Sequence, residues 1–478
     1  MDNKYRNYID GAFRTARSDA SISVLNPATE EVIGQAPDST NEDIDDAVGA
    51  ARRAQPSWEK RPAIERAGYL KAVAAGIRSK AGQLAQIISQ EQGKVQGLAA
   101  VEVAFTADYL DYMAEWARRI EGEILTSDRS DETILLMRKP IGVVAGILPW
   151  NFPFFLIARK MAPALVTGNT IVIKPSEETP LNAFAFAEIV AEAGLPPGVF
   201  NLVSGGGKSG GRLAGHTNVD MVSFTGSVET GKRIMSAASA NLTRVNLELG
   251  GKAPAIVLAS ANLELAATAI YQSRVINTGQ VCNCAERVYV ERSAFDEFVD
   301  KISSKMRATK YGDPFLDDAL DMGPLISRAQ LEKVKGAVDL AVNQGAKLVV
   351  GGSVADRGKG FHYEPTVLVD CHHEMDIMRK ETFGPVLPIQ VVDSLDEAIH
   401  FSNDSEYGLT SSIFTQDIDA ALRACRDLKF GETYVNREHF EAMQGFHAGR
   451  RKSGIGGADG KHGLYEYMET HAVYIQSH

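Results

Sequence analysis

The sequence predicts an α/β protein: a doubly wound parallel-sheet domain, a second α/β domain after it, and a small β element apart from both. Three patterns carry that reading. Short apolar strands alternate with helical segments from about 169 to 254, the alternation resumes from about 262 to 434, and two strand-like segments, 133–138 and 472–476, stand isolated. Helices on both faces of a parallel sheet bury its strands completely, which is why such strands read as continuous apolar runs. With 478 residues the chain is too long for one small core and long enough for two or three domains.

In chain order, 41–119 comes first: alanine-rich, apolar at three- and four-residue spacing, with few breakers, which is the pattern of helices. The uncharged run 141–158 is long enough to raise a membrane-spanning reading. Pro149, Trp150, Asn151 and Pro153 interrupt its middle, however. Prolines and an amide at membrane depth would leave backbone groups unpaired, so the run reads as a buried strand followed by a turn. Thr170-Ile171-Val172-Ile173-Lys174 reads as a buried strand, and 182–193 as a helix closed by Gly194 and Pro196. Strands follow at 199–203, 221–225 and 245–249, with a helix from Val228 between the last two. The second region predicts helices at 295–310, at 328–344 and from Leu395, and a strand at 347–350. The isolated segments 133–138 and 472–476 can pair with each other or with another subunit.

Composition narrows the class. Hydrophobic residues at 44% and charged residues at 23% are ordinary for a globular protein. A net charge of −11 argues against nucleic acid as a partner, since phosphate-backbone binders carry basic surfaces. The N-terminal residues lead into no apolar core, so no signal peptide and no membrane partner is expected, and the protein is expected to be cytoplasmic. Four cysteines, Cys282, Cys284, Cys371 and Cys425, make no disulfide framework and suit a reducing compartment. Neither Cys282 with Cys284 nor Cys371 beside His372 and His373 repeats a zinc-ribbon spacing, so no metal is expected.

Two glycine motifs resemble phosphate loops. Gly205-Gly206-Gly207-Lys208-Ser209-Gly210 satisfies G-x-G-x-x-G, but glycine triplets match that pattern cheaply, and Leu202 stands where a P-loop needs its first glycine. Gly226-Ser227-Val228-Glu229-Thr230-Gly231-Lys232 fits G-x-x-x-x-G-K, yet Arg233 replaces the magnesium-binding Ser or Thr. An ATPase is therefore not the reading. What remains is a strand, a Gly-Ser turn and a helix N-terminus, which can offer N–H groups to a dinucleotide pyrophosphate or be an ordinary tight turn. Lys174-Pro175-Ser176-Glu177 ends the first strand, where ligands collect in open parallel sheets. Glu177 there can accept from both adenosine ribose hydroxyls and repel a 2′-phosphate, favouring NAD over NADP. Alternatively it caps a helix together with Glu178.

Three residues point to chemistry. Cys282 lies between a glycine-containing turn and a polar run, where a thiol can be a nucleophile or simply buried. Glu248 is a carboxylate at an apolar strand end, where desolvation would raise its pKa toward that of a general base. It can also be one half of a strand-edge salt bridge. Asn151 sits in a proline-bracketed turn that holds its amide rigidly, as an oxyanion donor requires, unless the amide only satisfies its own turn.

Asn151 in Pro-Trp-Asn-Phe-Pro, Lys174 in Lys-Pro-Ser-Glu, Gly226-Ser227, Glu248 in Glu-Leu-Gly-Gly-Lys, Cys282 after Gly-Gln-Val, and Glu381-Thr382-Phe383-Gly384-Pro385-Val386 occur in that order. Together, across nearly the whole chain, they resemble the aldehyde dehydrogenase superfamily. The resemblance implies that Cys282 attacks an aldehyde and that Asn151 and the Cys282 N–H hold the oxyanion. A hydride then passes to NAD, and Glu248 activates the water that hydrolyses the thioester. It implies adenosine ribose binding by Lys174 and Glu177, pyrophosphate binding by Ser227, and nicotinamide ribose binding by Glu381 and Phe383. Pro149, Trp150, Ser176, Gly205, Phe224 and Gly226 complete the cofactor set. It further implies an NAD-binding domain of 1–120 and 141–250, a catalytic domain of 251–450, and an oligomerisation element of 121–140 and 459–478 that builds a homodimer or homotetramer.

The chain departs from the family at two places. Phe446-His447-Ala448-Gly449-Arg450-Arg451-Lys452-Ser453-Gly454 replaces the usual Pro-Phe-Gly-Gly-x-Lys-x-Ser-Gly, and Ala458 stands where many members carry a second glutamate. The stretches around Phe440–His447, Cys282–Glu286 and Phe154–Lys160 are similar to dehydrogenases of lactaldehyde and glycolaldehyde. Arg159, Asn283, Glu441 and His447 would then form a polar pocket for a small α-hydroxyl, whose absence from an analogue leaves the site's own polar groups unpaired. The competing reading for His447 and Glu441 is a solvated loop. A semialdehyde dehydrogenase would instead set Arg159 or Arg450 against a distal carboxylate. A CoA-acylating relative usually lacks the equivalent of Glu248, and a non-catalytic dinucleotide-binding protein would not need the Cys–Glu–Asn set.

Overall fold

The computed structural model describes residues 5–477. Its largest sheet runs, in spatial order, Gly454–Ile455, Arg244–Leu249, Met221–Gly226, Val143–Ile147, Thr170–Lys174, Phe200–Leu202, Asn7–Ile9 and Ala12–Arg14. The five strands from Arg244–Leu249 to Phe200–Leu202 are parallel, and the edge strands pair antiparallel. Side chains alternate across the sheet as the pleat requires. Val144, Ile171 and Ile173 enter the core shared with helices Ala63–Ser79, Gln96–Ala114 and Pro153–Thr167. Val143, Ala145 and Val172 enter the opposite core, against helices Asn41–Glu59 and Val228–Ser239. Burial on both faces explains the uniformly apolar strands.

The second sheet runs Lys347–Val350, Thr366–Val369, Val386–Val392, Arg287–Glu291, Pro254–Val257, Thr410–Phe414 and Glu432–Val435, parallel except for the first pair. It too separates two cores, with Ile256 and Tyr289 on one face and Ala255, Val257, Val288 and Val290 on the other. A third sheet of three strands pairs Met468–Gln476 with Glu132–Pro140, and Glu132–Pro140 with Glu123–Thr126. The isolated segments thus pair with each other.

Three expectations change. Residues 459–467, assigned above to the small β element, join the first core instead: helix Gly460–Tyr465 brings Leu464, and Tyr467 follows it there. The turn after Val143–Ile147 leads directly into helix Pro153–Thr167, every residue of which is buried. Pro153 stands at its start, where the missing N–H costs no hydrogen bond, so it initiates the helix rather than breaking one, and a second proline, Pro163, lies within it. The predicted strand at 199–203 is only Phe200–Leu202. Among the described residues, no helix is long and apolar enough to cross a membrane.

Candidate active site

Parallel strands end on one edge, and that edge positions the site. Leu249, Gly226, Ile147, Lys174 and Leu202 close five adjacent parallel strands, and the loops leaving them face the second sheet. A cavity of about 240 Å³ lies there. Its wall includes Cys282, Glu248 and Asn151 together with Arg159, Asn283, Glu441 and His447. Pro149, Trp150, Gly226, Ser227, Glu381 and Phe383 line it as well. Residues separated by nearly three hundred positions therefore meet in one concavity.

The nucleophile loop is fixed by its backbone and by one buried carboxylate. Asn277, Thr278 and Gly279 adopt left-handed conformations (φ 49°, 59° and 72°). A Cβ at Gly279 would lie 2.2 Å from the Gly384 carbonyl, so glycine lets the Cys282 loop touch the Phe383-Gly384-Pro385 segment. Glu286 ties the same two segments: it lies 2.6 Å from Lys252 and 3.0 Å from Arg274, and it accepts from the N–H groups of Thr382 and Phe383. Burial works against its charge, but the Lys252 and Arg274 cations win and hold its pKa down, at about 2. Gly250 closes the other side, since a Cβ there would meet the Glu381 carboxylate at 2.4 Å. Glu381 accepts from the Gly251 N–H at 2.8 Å, and burial pushes its pKa up to about 6. Cys282 is half-buried, and Asn151 donates from Nδ2 to the Gln280 carbonyl at 3.0 Å, two residues before the thiol.

Glu248 corrects the sequence expectation. It is buried as predicted, and burial alone would raise its pKa. The charges of Lys160, Arg159 and His447 reverse the sign and hold it at about 2. Its Oε2 lies 3.1 Å from Lys160 and accepts from Thr225 Oγ1 at 2.8 Å, while Oε1 is buried without a partner. One oxygen is anchored and the other is left as an acceptor.

Arg159, Asn283 and His447 are buried, which goes against the solvated-loop reading of His447, and Glu441, partly exposed, is held by Arg159 and Asn283 rather than by solvent alone. His447 donates from Nδ1 to Glu432 at 2.5 Å and lines the same cavity as Cys282. Burial and Arg159 oppose its positive charge, yet the Glu432 carboxylate beside it raises its pKa well above the usual histidine range. Asn283 donates from Nδ2 to Glu441. Arg159 lies 3.4 Å from Glu441 and donates from Nε to Asp459 at 3.0 Å, with a second contact to the same carboxylate. Asp459 is thus the buried acid next to Ala458, and its partner is Arg159.

Five predicted cofactor residues lie outside the cavity wall. Lys174, Ser176 and Glu177 cluster at the neighbouring strand end, where Lys174 Nζ meets Glu177 at 3.2 Å. Gly205 is one strand further out. The Phe224 ring packs beneath Gly226, where a Cβ would come within 2.4 Å of it. Ser227 caps helix Val228–Ser239 by accepting from the Thr230 N–H, so its hydroxyl already serves the helix, and the first-turn N–H groups of that helix remain the anion donors. Trp150 and Phe383 meet edge to face with centroids 5.5 Å apart, an apolar contact near the half-buried Glu381. Apolar faces, a half-buried acceptor and helix N–H groups along one strand edge fit a nicotinamide dinucleotide.

Lys160, Thr225, Glu286 and Glu432 were not singled out from the sequence. Lys160 left a signal, a second cation beside Arg159 in an otherwise apolar helix. Glu286 and Glu432 left none, because their importance lies in contacts far along the chain. Among the described residues one group, His373, Glu374 and Asp404, has metal-compatible spacing. The Arg379 guanidinium lies within 3.6 Å of all three and supplies the positive charge there.

A doubly wound dinucleotide edge facing a thiol, a carboxylate and an amide defines a class of enzyme. The chain belongs to the aldehyde dehydrogenase family, whose sequence profile matches residues 13–473, and it is an oxidoreductase of aldehydes. It is 61% identical to lactaldehyde dehydrogenase of Escherichia coli (strain K12), over 98% of each chain. A crystal structure of the Escherichia coli enzyme superposes with a TM-score of 0.98 over 99% of both chains. Similarity extends to 3,6-anhydro-alpha-L-galactose dehydrogenase of Vibrio sp. (strain EJY3), 43% identical over 99% of both chains. Betaine aldehyde dehydrogenase from Staphylococcus aureus, solved in complex with NAD+, is 36% identical with a TM-score of 0.96, covering 98% of this chain and 95% of its own.

Proposed function

We propose that this enzyme oxidises a short α-hydroxyaldehyde, lactaldehyde or glycolaldehyde, to its carboxylic acid with NAD. The observation that carries the reading is the polar wall beside Cys282: Asn283, Glu441 and His447 line the thiol's own cavity. Such groups reward a substrate hydroxyl and leave unpaired polar atoms when it is missing. The name carried by the 61% identical Escherichia coli relative supports the same substrate. A semialdehyde's distal carboxylate needs a free cation. Arg159 is already paired with Asp459 and Glu441, and Arg450 is exposed and away from the cavity wall.

In this mechanism the Cys282 thiolate adds to the aldehyde carbon. The second N–H of the Asn151 amide and the Cys282 backbone N–H receive the oxyanion, and such a donor contributes on the order of 10²–10³ in rate. NAD bound along this strand edge would supply the hydride acceptor that takes the thiohemiacetal to a thioester. Glu248 Oε1, its partner-free oxygen, takes a proton from the water that attacks this thioester, releasing the acid and Cys282. Glu381 holds the nicotinamide ribose beside Phe383 and Trp150, and Pro149, Gly226 and Ser227 flank the pyrophosphate. Lys174, Ser176 and Glu177, with Gly205 one strand further out, hold the adenosine end, and Phe224 supports Gly226 from beneath. The exposed Glu177 carboxylate favours NAD over a 2′-phosphorylated dinucleotide. The first sheet is the NAD-binding domain and the second the catalytic domain. The three-stranded sheet joins subunits of a cytoplasmic homo-oligomer.

The test is steady-state NADH formation from lactaldehyde, glycolaldehyde, succinic semialdehyde and unsubstituted aliphatic aldehydes, each with NAD and NADP. The two hydroxyaldehydes should give the highest kcat/KM. Succinic semialdehyde exceeding lactaldehyde by about tenfold would overturn the substrate assignment, and a preference for NADP would overturn the role of Glu177.

A further inference from the structure

We propose that Lys94 and Glu102 are positioning residues that act through Asn151; the proposal rests on the reading of Asn151 as the oxyanion donor. Lys94 lies between helices Ala81–Gln92 and Gln96–Ala114, and Glu102 on the second of them. Both side chains are fully buried, with Lys94 Nζ 2.5 Å from Glu102 Oε2. Charges taken out of water together stabilise little by themselves, and a well-packed apolar pair often does as well. What the two touch is therefore the informative part.

The further contacts of the two side chains fall on the turn that carries Asn151 and on the first turn of the helix it leads into. Lys94 Nζ donates to the Asn151 backbone carbonyl at 2.9 Å and lies 3.5 Å from the centre of the Phe152 ring. Glu102 Oε1 accepts from the N–H groups of Phe154 and Phe155 at 3.0 and 3.1 Å. These are first-turn donors of helix Pro153–Thr167, whose preceding residue, Phe152, has no side-chain oxygen to cap them. One buried carboxylate thus caps that helix, and its lysine partner pins the residue entering it.

From the other side, Asn277 Nδ2 donates to the same Asn151 carbonyl at 3.0 Å and to the Gln280 carbonyl at 3.3 Å. The Gln280 carbonyl is also the acceptor of the Asn151 side chain. The turn is consequently clamped between the Lys94–Glu102 pair and the nucleophile loop. Glu102 itself reaches the cavity wall. Loss of the pair lets the carbonyl and the first helical turn shift, and the Asn151 amide moves with them relative to Cys282.

The test compares four proteins: the parent, Lys94→Met/Glu102→Gln, Asn151→Ala, and the triple variant. The double substitution removes both charges at similar volume, so no lone buried charge remains. Its kcat should fall on the order of 10- to 100-fold, the scale of a small misplacement at a reacting centre. NAD affinity, read by fluorescence, should stay within about twofold of the parent, which a general loosening of the fold would not allow. In the Asn151→Ala background the same substitutions should cost little more, because groups that act through one side chain are not additive. An equal loss in both backgrounds, or an undiminished kcat in the double variant, overturns the proposal. Undiminished kcat in Asn151→Ala sinks the oxyanion assignment itself, a separate arm of the comparison. Should the double variant fail to fold, Lys94→Arg keeps the charge but not the point-like geometry, and it is held to the same two outcomes.

Discussion

Cys282, Glu248 and the acceptors around the substrate divide the chemistry among single side chains, and each can be removed separately. Cys282→Ala should abolish NADH formation while NAD binding, followed by fluorescence, persists. Glu248→Gln is isosteric and keeps one oxygen on Thr225 and Lys160. It should permit a burst of NADH and then slow turnover on the order of 10²- to 10⁴-fold, the usual share of a general base; stopped-flow fluorescence separates the two phases. Glu441→Gln leaves Arg159 paired with Asp459 but removes the charged acceptor for Asn283. It should lower kcat/KM for lactaldehyde by about tenfold or more and for propionaldehyde, which lacks the hydroxyl, far less, measured side by side. Equal losses on both aldehydes would remove Glu441 from specificity. At this scale residue identity was readable and ionisation was not. Burial of Glu248 followed from its apolar neighbours, but Lys160 and His447, which reverse the effect, come from another helix and from a loop two hundred positions away.

At the scale of elements, the site depends on loops held to one another more than on the strands beneath them. Glu286 joins the nucleophile loop to Lys252, Arg274 and the Glu381–Phe383 segment, with its pKa held at about 2. A carboxyl whose pKa is lower in the folded than in the unfolded chain stabilises the fold above its unfolded value. That stabilisation is lost as pH falls through the folded value. Glu286 and Glu248 should therefore make urea midpoints fall steeply between about pH 4.5 and 2. Glu381, raised to about 6, acts with the opposite sign, so its own contribution declines as pH rises from about 4.5 to 6. Glu286→Gln leaves two buried cations with a neutral partner and should cost roughly 3–5 kcal/mol by urea unfolding at pH 7. The central strands were legible because burial on both faces leaves an unbroken apolar signature. Strands Asn7–Ile9 and Ala12–Arg14 were not, because three residues at a sheet edge carry no periodicity. Helix Pro153–Thr167 was hidden by its own initiating proline.

Across the whole molecule, the three-stranded sheet stands out by what it leaves uncovered: on one face Ile124 is 78% exposed, with Met137 and Ile475 exposed on the same side, and on the other Tyr474 is 65% exposed, with Leu125. Large apolar side chains left uncovered on both faces of so small a sheet are what the assembly proposed above would cover. Ile124→Asp with Tyr474→Asp should shift the protein to a smaller species in light scattering at unchanged unfolding midpoint; an unchanged mass would remove this sheet from assembly. The division into two α/β halves was legible from alternation alone. The path of the chain's last part was not, since it visits every part of the structure. After the second sheet the chain delivers His447 to the cavity, then pairs Gly454 with Glu248 and Ile455 with Leu247 on the first sheet. It next places Asp459 against Arg159 and ends along Glu132–Pro140. Synthesis proceeds from the N-terminus, so a nascent chain can fold the dinucleotide edge and expose Cys282 while still on the ribosome. It lacks the histidine that lines the thiol's cavity, the strand that borders the base and the acid that orients Arg159 until residues 447–459 emerge. Catalytic competence thus waits for the segment from Phe446 onward, and a chain truncated before Phe446 should form no NADH.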